Sequence, residues 1–350
     1  FDDFINNANR DSNGNINTLY IDKSSYENNY NPRILEISFD NLCNLSCSYC
    51  NSEFSSTWAN DIKKNGGYQG LQTEQRGTWE QAVEFEYDPK RNDNPYVNAF
   101  FEWYHNGLAE DLQELRVTGG EPLRSPSFWK FVDSIENPSY LFGVNTNMIH
   151  DESRQKKLVD LSNKFDKFEL YTSAESYGKS SEFIRSGFDW DQWCANLENF
   201  LDHGNKDRIT IMMTINALSV FNTVEFLDYI VGLKNKYNDK SICRMSWNIL
   251  RFPNFQSLNV LPQHLKQKYS DKMEHWLNQN INEIEDGEIE NIKRTISYMR
   301  NVDVSYDDTD VYESKVNDFK TFFSQYAERR NLDIVECINN KDFEDWWKTL

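Results

Sequence analysis

Between residues 97 and 250 the chain alternates short apolar runs with longer stretches whose apolar residues recur at helical spacing. The runs "LQELRVT" (112–118), "LFGVNT" (141–146), "FELYTS" (168–173), "RITIMMTI" (208–215) and "ICRMSWNIL" (242–250) are too short for helices and predict buried strands. An earlier run, "ILEISF" (34–39), predicts a sixth. Helices are predicted over 55–64, 97–111, 126–135, 151–163, 189–203 and 222–236. In the third of these, Ser125 stands at the N-cap and Pro126 at the first helical position. Phe128, Phe131, Val132 and Ile135 then fall on one face. Strands that alternate with helices imply a parallel α/β sheet with right-handed crossovers. Six such units make an open sheet or a partial (β/α)6 barrel, and either form collects functional groups at the C-terminal strand ends.

The flanks read differently. Residues 1–32 are polar and predict an irregular arm, and 66–95 an insertion within the core of 33–260. From 261 to 350 the pattern is helical throughout. The chain opens on Phe rather than Met, which is expected of a trimmed product. No transmembrane span or secretory signal stands out. The net charge of −19, from 56 acidic and 37 basic residues, disfavours nucleic acid, whose phosphates require a basic surface.

Six cysteines are present, and three of them fall in "CNLSCSYC": Cys43, Cys47 and Cys50, with Tyr49 before the third. Cys194, Cys243 and Cys337 are isolated and read as structural thiols. The three clustered thiols lie on a loop at the C-terminal end of the first strand. A structural zinc site needs four ligands, and nothing ties the nearest downstream histidine, His105, to this loop. A [4Fe–4S] cluster bound by three thiolates instead keeps one iron open for a substrate or cofactor.

The motif resembles the CxxxCxΦC signature of the radical S-adenosylmethionine (radical SAM) superfamily, where Φ is aromatic. "GGEP" (119–122) resembles the superfamily's second-strand GGE, "VNTNM" (144–148) its third-strand segment, and "YTSAES" (171–176) its fourth-strand S-x-D-G. Glu175 and Ser176 depart from the last pattern, standing where the family has Asp and Gly. "EFIRSGFDW" (182–190) resembles the segment whose arginine pairs with the S-adenosylmethionine carboxylate. The resemblance covers about 33–260 and is nearest the twitch-domain radical SAM proteins, although the extra cysteines of an auxiliary cluster are not found.

What the resemblance implies is a partial barrel with Cys43, Cys47 and Cys50 on a [4Fe–4S] cluster. Tyr49, Gly119, Gly120, Glu121, Asn147, Ser173, Glu175, Arg185 and Asn216 would then stand around S-adenosylmethionine. In that family an electron from the cluster cleaves the cofactor to a 5′-deoxyadenosyl radical, which abstracts hydrogen from substrate. The electron comes from a donor such as flavodoxin or ferredoxin, and the enzymes are cytoplasmic and oxygen-sensitive. Substrates of relatives include peptides, small molecules and nucleosides. A non-catalytic zinc-binding scaffold, and a member that binds the cofactor without cleaving it, are the competing readings.

Overall fold

The computed structural model describes residues 31–73, 76–84, 94–301 and 309–350, without the side chains of residues 76, 309 and 310. The expected arm lies almost wholly outside the described residues, and the expected insertion lies partly outside them.

Six strands form one wholly parallel sheet: β1 (Ile34–Ser38), β3 (Glu114–Thr118), β4 (Leu141–Thr146), β5 (Phe168–Ser173), β7 (Ile209–Ile215) and β8 (Arg244–Ile249), in the order β1-β3-β4-β5-β7-β8. Pairing runs, for example, Ser38 with Thr118 and Thr146 with Thr172, which brings the C-terminal ends of those neighbours close to level, while β7 runs three residues past Met212, the partner of Ser173. Among the described residues β1 and β8 do not pair, so the sheet stays open, a partial barrel. Two further strands, β2 (Ser46–Cys47) and β6 (Arg185–Ser186), form a small antiparallel ladder in which Cys47 faces Arg185.

The helices are α1 (Ser56–Asn65), α2 (Pro95–Trp103), α3 (Pro126–Ser134), α4 (Glu152–Lys164), α5 (Lys179–Ile184), α6 (Trp190–His203) and α7 (Thr223–Tyr237). Ser125 accepts from the Phe128 amide, the side-chain cap expected at α3. The single helix expected over 97–111 is broken: Asn106 and Gly107 leave helical geometry, with Gly107 at φ 121°. Glycine reaches that conformation without a Cβ clash.

One face of the sheet is apolar and closed by helices. Val117, Val144, Leu170, Ile211 and Met213 are fully buried there. Along the other face Arg116, Asn145, Tyr171, Met212 and Ser246 remain partly accessible. Arg116 lies over the Tyr171 ring, its guanidinium carbon 3.9 Å from the centroid, and donates from Nε to Asn145 Oδ1 at 2.7 Å. The helical C-terminal region holds α8 (Gln263–Asn280), α9 (Asp286–Asn301), α10 (Thr309–Arg330), α11 (Ile334–Ile338) and α12 (Lys341–Thr349). Helix α10 packs Phe322 against Tyr68, Trp79 and Phe255. On the same helix Asp318 accepts from the amides of Gln72 and Thr73. Among the described residues no helix is long and apolar enough to cross a membrane.

Candidate functional site

The loop after β1 carries the three cysteines, and its backbone is held by side chains from four directions. From α1 and its cap, Thr57 donates to Cys43 O, Ser55 to Leu45 O and the Trp58 indole to Cys47 O. The Trp79 indole reaches Cys50 O at 2.9 Å. Gln256 pairs with both the carbonyl and the hydroxyl of Ser48. From α10, the Tyr326 hydroxyl donates to Ser46 O at 2.7 Å and accepts from the Ser186 amide, and Arg330 donates to Ser46 Oγ. Carbonyls left unpaired by the irregular loop thus find partners. The loop is tied down by the protein itself.

Gly119 and Gly120 belong to this construction. A Cβ on Gly120 would stand 2.4 Å from Leu42 O, and one on Gly119, at φ 117°, would stand 2.3 Å from Ser38 Oγ. What Gly120 approaches so closely is the backbone leading into the cysteine loop, and Gly119 approaches the Ser38 side chain and the Asp40 carbonyl. The Glu121 amide then donates to Leu42 O at 2.7 Å.

The Glu121 carboxylate is buried and joins β3 to β4. It accepts from the Thr146 hydroxyl and the Asn147 amide, both at 2.7 Å, and from the Leu123 amide. Burial pushes its pKa up to about 7, against the pull of those hydrogen bonds. The Asn147 side chain donates to Asn44 Oδ1 and accepts from the Ile149 amide, so the end of β4 is fastened to the loop.

Cys43, Cys47 and Cys50 open on one cavity of about 200 Å³. Its walls also include Tyr49, Gly119, Gly120, Glu121, Asn147, Ser173 and Arg185, drawn from the ends of β3, β4 and β5 and from β6. Of the other expected residues, Glu175 and Asn216 are not among its walls. Glu175 is fully buried behind Arg185. Asn216 turns its side chain onto the amides of Leu218 and Ser219, closing the turn after β7. Phe54, Gly119 and Gly120 also line an adjoining cavity of about 400 Å³.

Arg185 meets Glu175 side-on. Nε lies 3.0 Å from Oε2 and Nη2 lies 2.6 Å from it, both side chains being buried. The Tyr49 hydroxyl donates to Glu175 Oε1 at 3.0 Å. Nη1 is directed to Cys47 Sγ at 3.8 Å. The bidentate partner of this guanidinium is therefore a carboxylate of the chain itself. Burial opposes the charged guanidinium, but Glu175, with Tyr49 and Cys47, more than offsets it and raises the pKa. Burial also raises all three thiols as free acids, Cys43 to about 12. For Cys43 and Cys50 the proximity of Cys47 adds to the effect.

Among the described residues, no group of three His, Cys, Asp or Glu side chains is placed to hold a single metal ion. His105 is exposed at the helix break, outside the cavity. Trp247 is buried and Phe252 half-exposed, and neither lines the cavity.

No family model and no curated protein matches the chain. Solved structures similar to it include Streptococcus suis SuiB bound to S-adenosylmethionine, at 14% identity and a TM-score of 0.45, covering 72% of this chain and 46% of that one. The chain thus spans about half the length of SuiB. The same protein bound to its precursor peptide SuiA gives a TM-score of 0.46 at 14% identity, covering 72% and 47%. Native anSMEcpe with bound AdoMet and Cp18Cys peptide gives 0.40 at 14% identity, covering 71% and 62%.

Proposed function

We propose that this chain is a radical SAM enzyme. The observation that carries the reading is the convergence of three loop thiols with the ends of β3, β4 and β5 on one cavity. A single tetrahedral ion needs four ligands meeting at one point. A [4Fe–4S] cluster takes one outer ligand per iron, and three thiols spread around a cavity fit it with one iron left open. Cys43, Cys47 and Cys50 would hold the cluster. When bound, cluster and S-adenosylmethionine together supply a reductively generated carbon radical able to abstract hydrogen.

The chain's own residues bind, orient and shield. Ser173, Asn147, Gly119, Gly120 and the carbonyls beside Glu121 are candidates for S-adenosylmethionine. Nη1 of Arg185, which Glu175 does not engage and which has a second N–H besides the one directed at Cys47 Sγ, is the candidate for its carboxylate. Tyr49 and Glu175 position that guanidinium. Asn216 serves the turn after β7 instead.

A peptide is the substrate class we favour. The accessible face of the sheet is mainly polar, with Tyr171 and Met212 among its residues, and runs across strands that each add about 4.8 Å of width, from Glu36 on β1 to Ser246 on β8. Such a face suits an extended chain better than an enclosed small molecule. Arg116, held by Tyr171 and Asn145 and paired with Glu36 at 3.7 Å, is a fixed charged group on it.

The test is iron content after anaerobic reconstitution. Wild-type protein should carry about four irons per chain, and Cys47→Ala, which loses one corner ligand, far fewer. A full complement in Cys47→Ala, or zinc in place of iron, would overturn the assignment.

A further inference from the structure

We propose that Arg185 tunes the reduction potential of the cluster by holding a positive charge and an N–H donor against the Cys47 sulfur. The inference rests on the [4Fe–4S] reading and gives Arg185 a task separate from cofactor binding.

Three features fix the guanidinium there. The β2–β6 ladder sets Cys47 opposite Arg185 through the backbone. Glu175 grips Nε and Nη2, and with Arg185 buried this leaves Nη1 aimed at Sγ, 3.8 Å away. Glu175 is in turn held by the Tyr49 hydroxyl, and the guanidinium carbon lies 5.5 Å from the Tyr49 ring centroid. Each of these contacts is made by the chain's own residues.

Hydrogen bonds to ligand sulfurs and the local charge are among the terms that set a cluster's potential. A reduced cluster carries one more negative charge; the guanidinium favours it, and the Glu175 carboxylate, which lies behind the guanidinium as seen from Cys47, offsets this only in part. Low dielectric around a buried group strengthens that effect. Arg185 therefore raises the midpoint potential and eases the one-electron reduction on which the proposed chemistry depends.

The test is a redox titration of reconstituted holoprotein without S-adenosylmethionine, followed by the electron paramagnetic resonance signal of the reduced cluster. Wild type is compared with Arg185→Lys, Arg185→Gln and Arg185→Met. We expect the lysine variant to stay near wild type, and the glutamine and methionine variants to shift to lower potential. Equal midpoints for wild type and Arg185→Met would overturn the inference. Where Arg185→Met assembles no cluster, the lysine and glutamine variants decide: a lower midpoint for glutamine supports the inference, and coincident midpoints overturn it. Absence of the cluster signal from wild type would be a failure of the radical SAM reading itself.

Discussion

Replacing Glu175 by Ala should destabilise the apo protein by about 3–5 kcal/mol, the cost of breaking a buried pair and leaving its partner charged and unpaired. The structure gives the reason. Glu175 takes two guanidinium nitrogens and the Tyr49 hydroxyl, and both members of the ion pair are buried. Unfolding entropy of roughly 2.1 cal/mol/K per residue gives a chain of this length a shift of about 1.4 °C per kcal/mol. The expected fall in Tm is therefore about 4–7 °C, read by circular dichroism on protein without iron. A double replacement, Glu175→Leu with Arg185→Met, removes both charges and should recover much of the loss. A Glu175→Ala variant that melts within about 1 °C of wild type would refute the reasoning. It would mean that the Arg185 charge finds water or another partner, and that the pair does not hold Nη1 on Cys47.

Further expectations concern the ties around the cysteine loop. Tyr326→Phe removes the donor to Ser46 O and the acceptor for the Ser186 amide. It should cost about 1–3 kcal/mol and speed hydrogen exchange at residues 44–50; unchanged exchange there would show that α10 does not brace the loop. Glu121, with its pKa raised to about 7, binds more protons folded than unfolded between the ordinary carboxyl value and that point. Stability should then fall as pH rises through this window and level off above about 7. The linked change is on the order of 3 kcal/mol. The pH dependence should flatten in Glu121→Gln, and a wild-type stability that instead rises with pH over the same window would contradict it.

Much of the sheet was legible because its strands are buried on one face and bounded by turn residues. Leu141–Thr146 and Phe168–Ser173 match their predicted limits, and the β-α alternation foretold a parallel sheet, open or as a partial barrel. What the pattern could not reveal are contacts set by distant residues. The two-residue strands β2 and β6 are too short to show periodicity, yet they place Arg185 against Cys47. The break at Asn106–Gly107 lay within an apolar helical pattern, where Gly107 was the available signal.

The site divides along the same line. A shared loop and strand ends pointed to the cysteines, Gly119, Gly120 and Glu121 as neighbours, the family resemblance added Asn147 and Ser173, and these residues line one cavity. Sequence could not show that Glu175 is the partner of Arg185, because an acid ten residues before an arginine carries no signal of contact. Nor could it show that Asn216 closes its own turn. Trp58, Trp79, Gln256 and Tyr326, which hold the loop, were missed. Tryptophans read as core, and Tyr326 lies 280 residues from the carbonyl it serves.

The measurement closest to the central claim is formation of 5′-deoxyadenosine by anaerobically reconstituted protein given dithionite and S-adenosylmethionine, with iron counted on the same sample. The account predicts 5′-deoxyadenosine from wild type and none from Cys43→Ala, Cys47→Ala or Cys50→Ala. A wild-type protein that holds about four irons and leaves S-adenosylmethionine intact would contradict it.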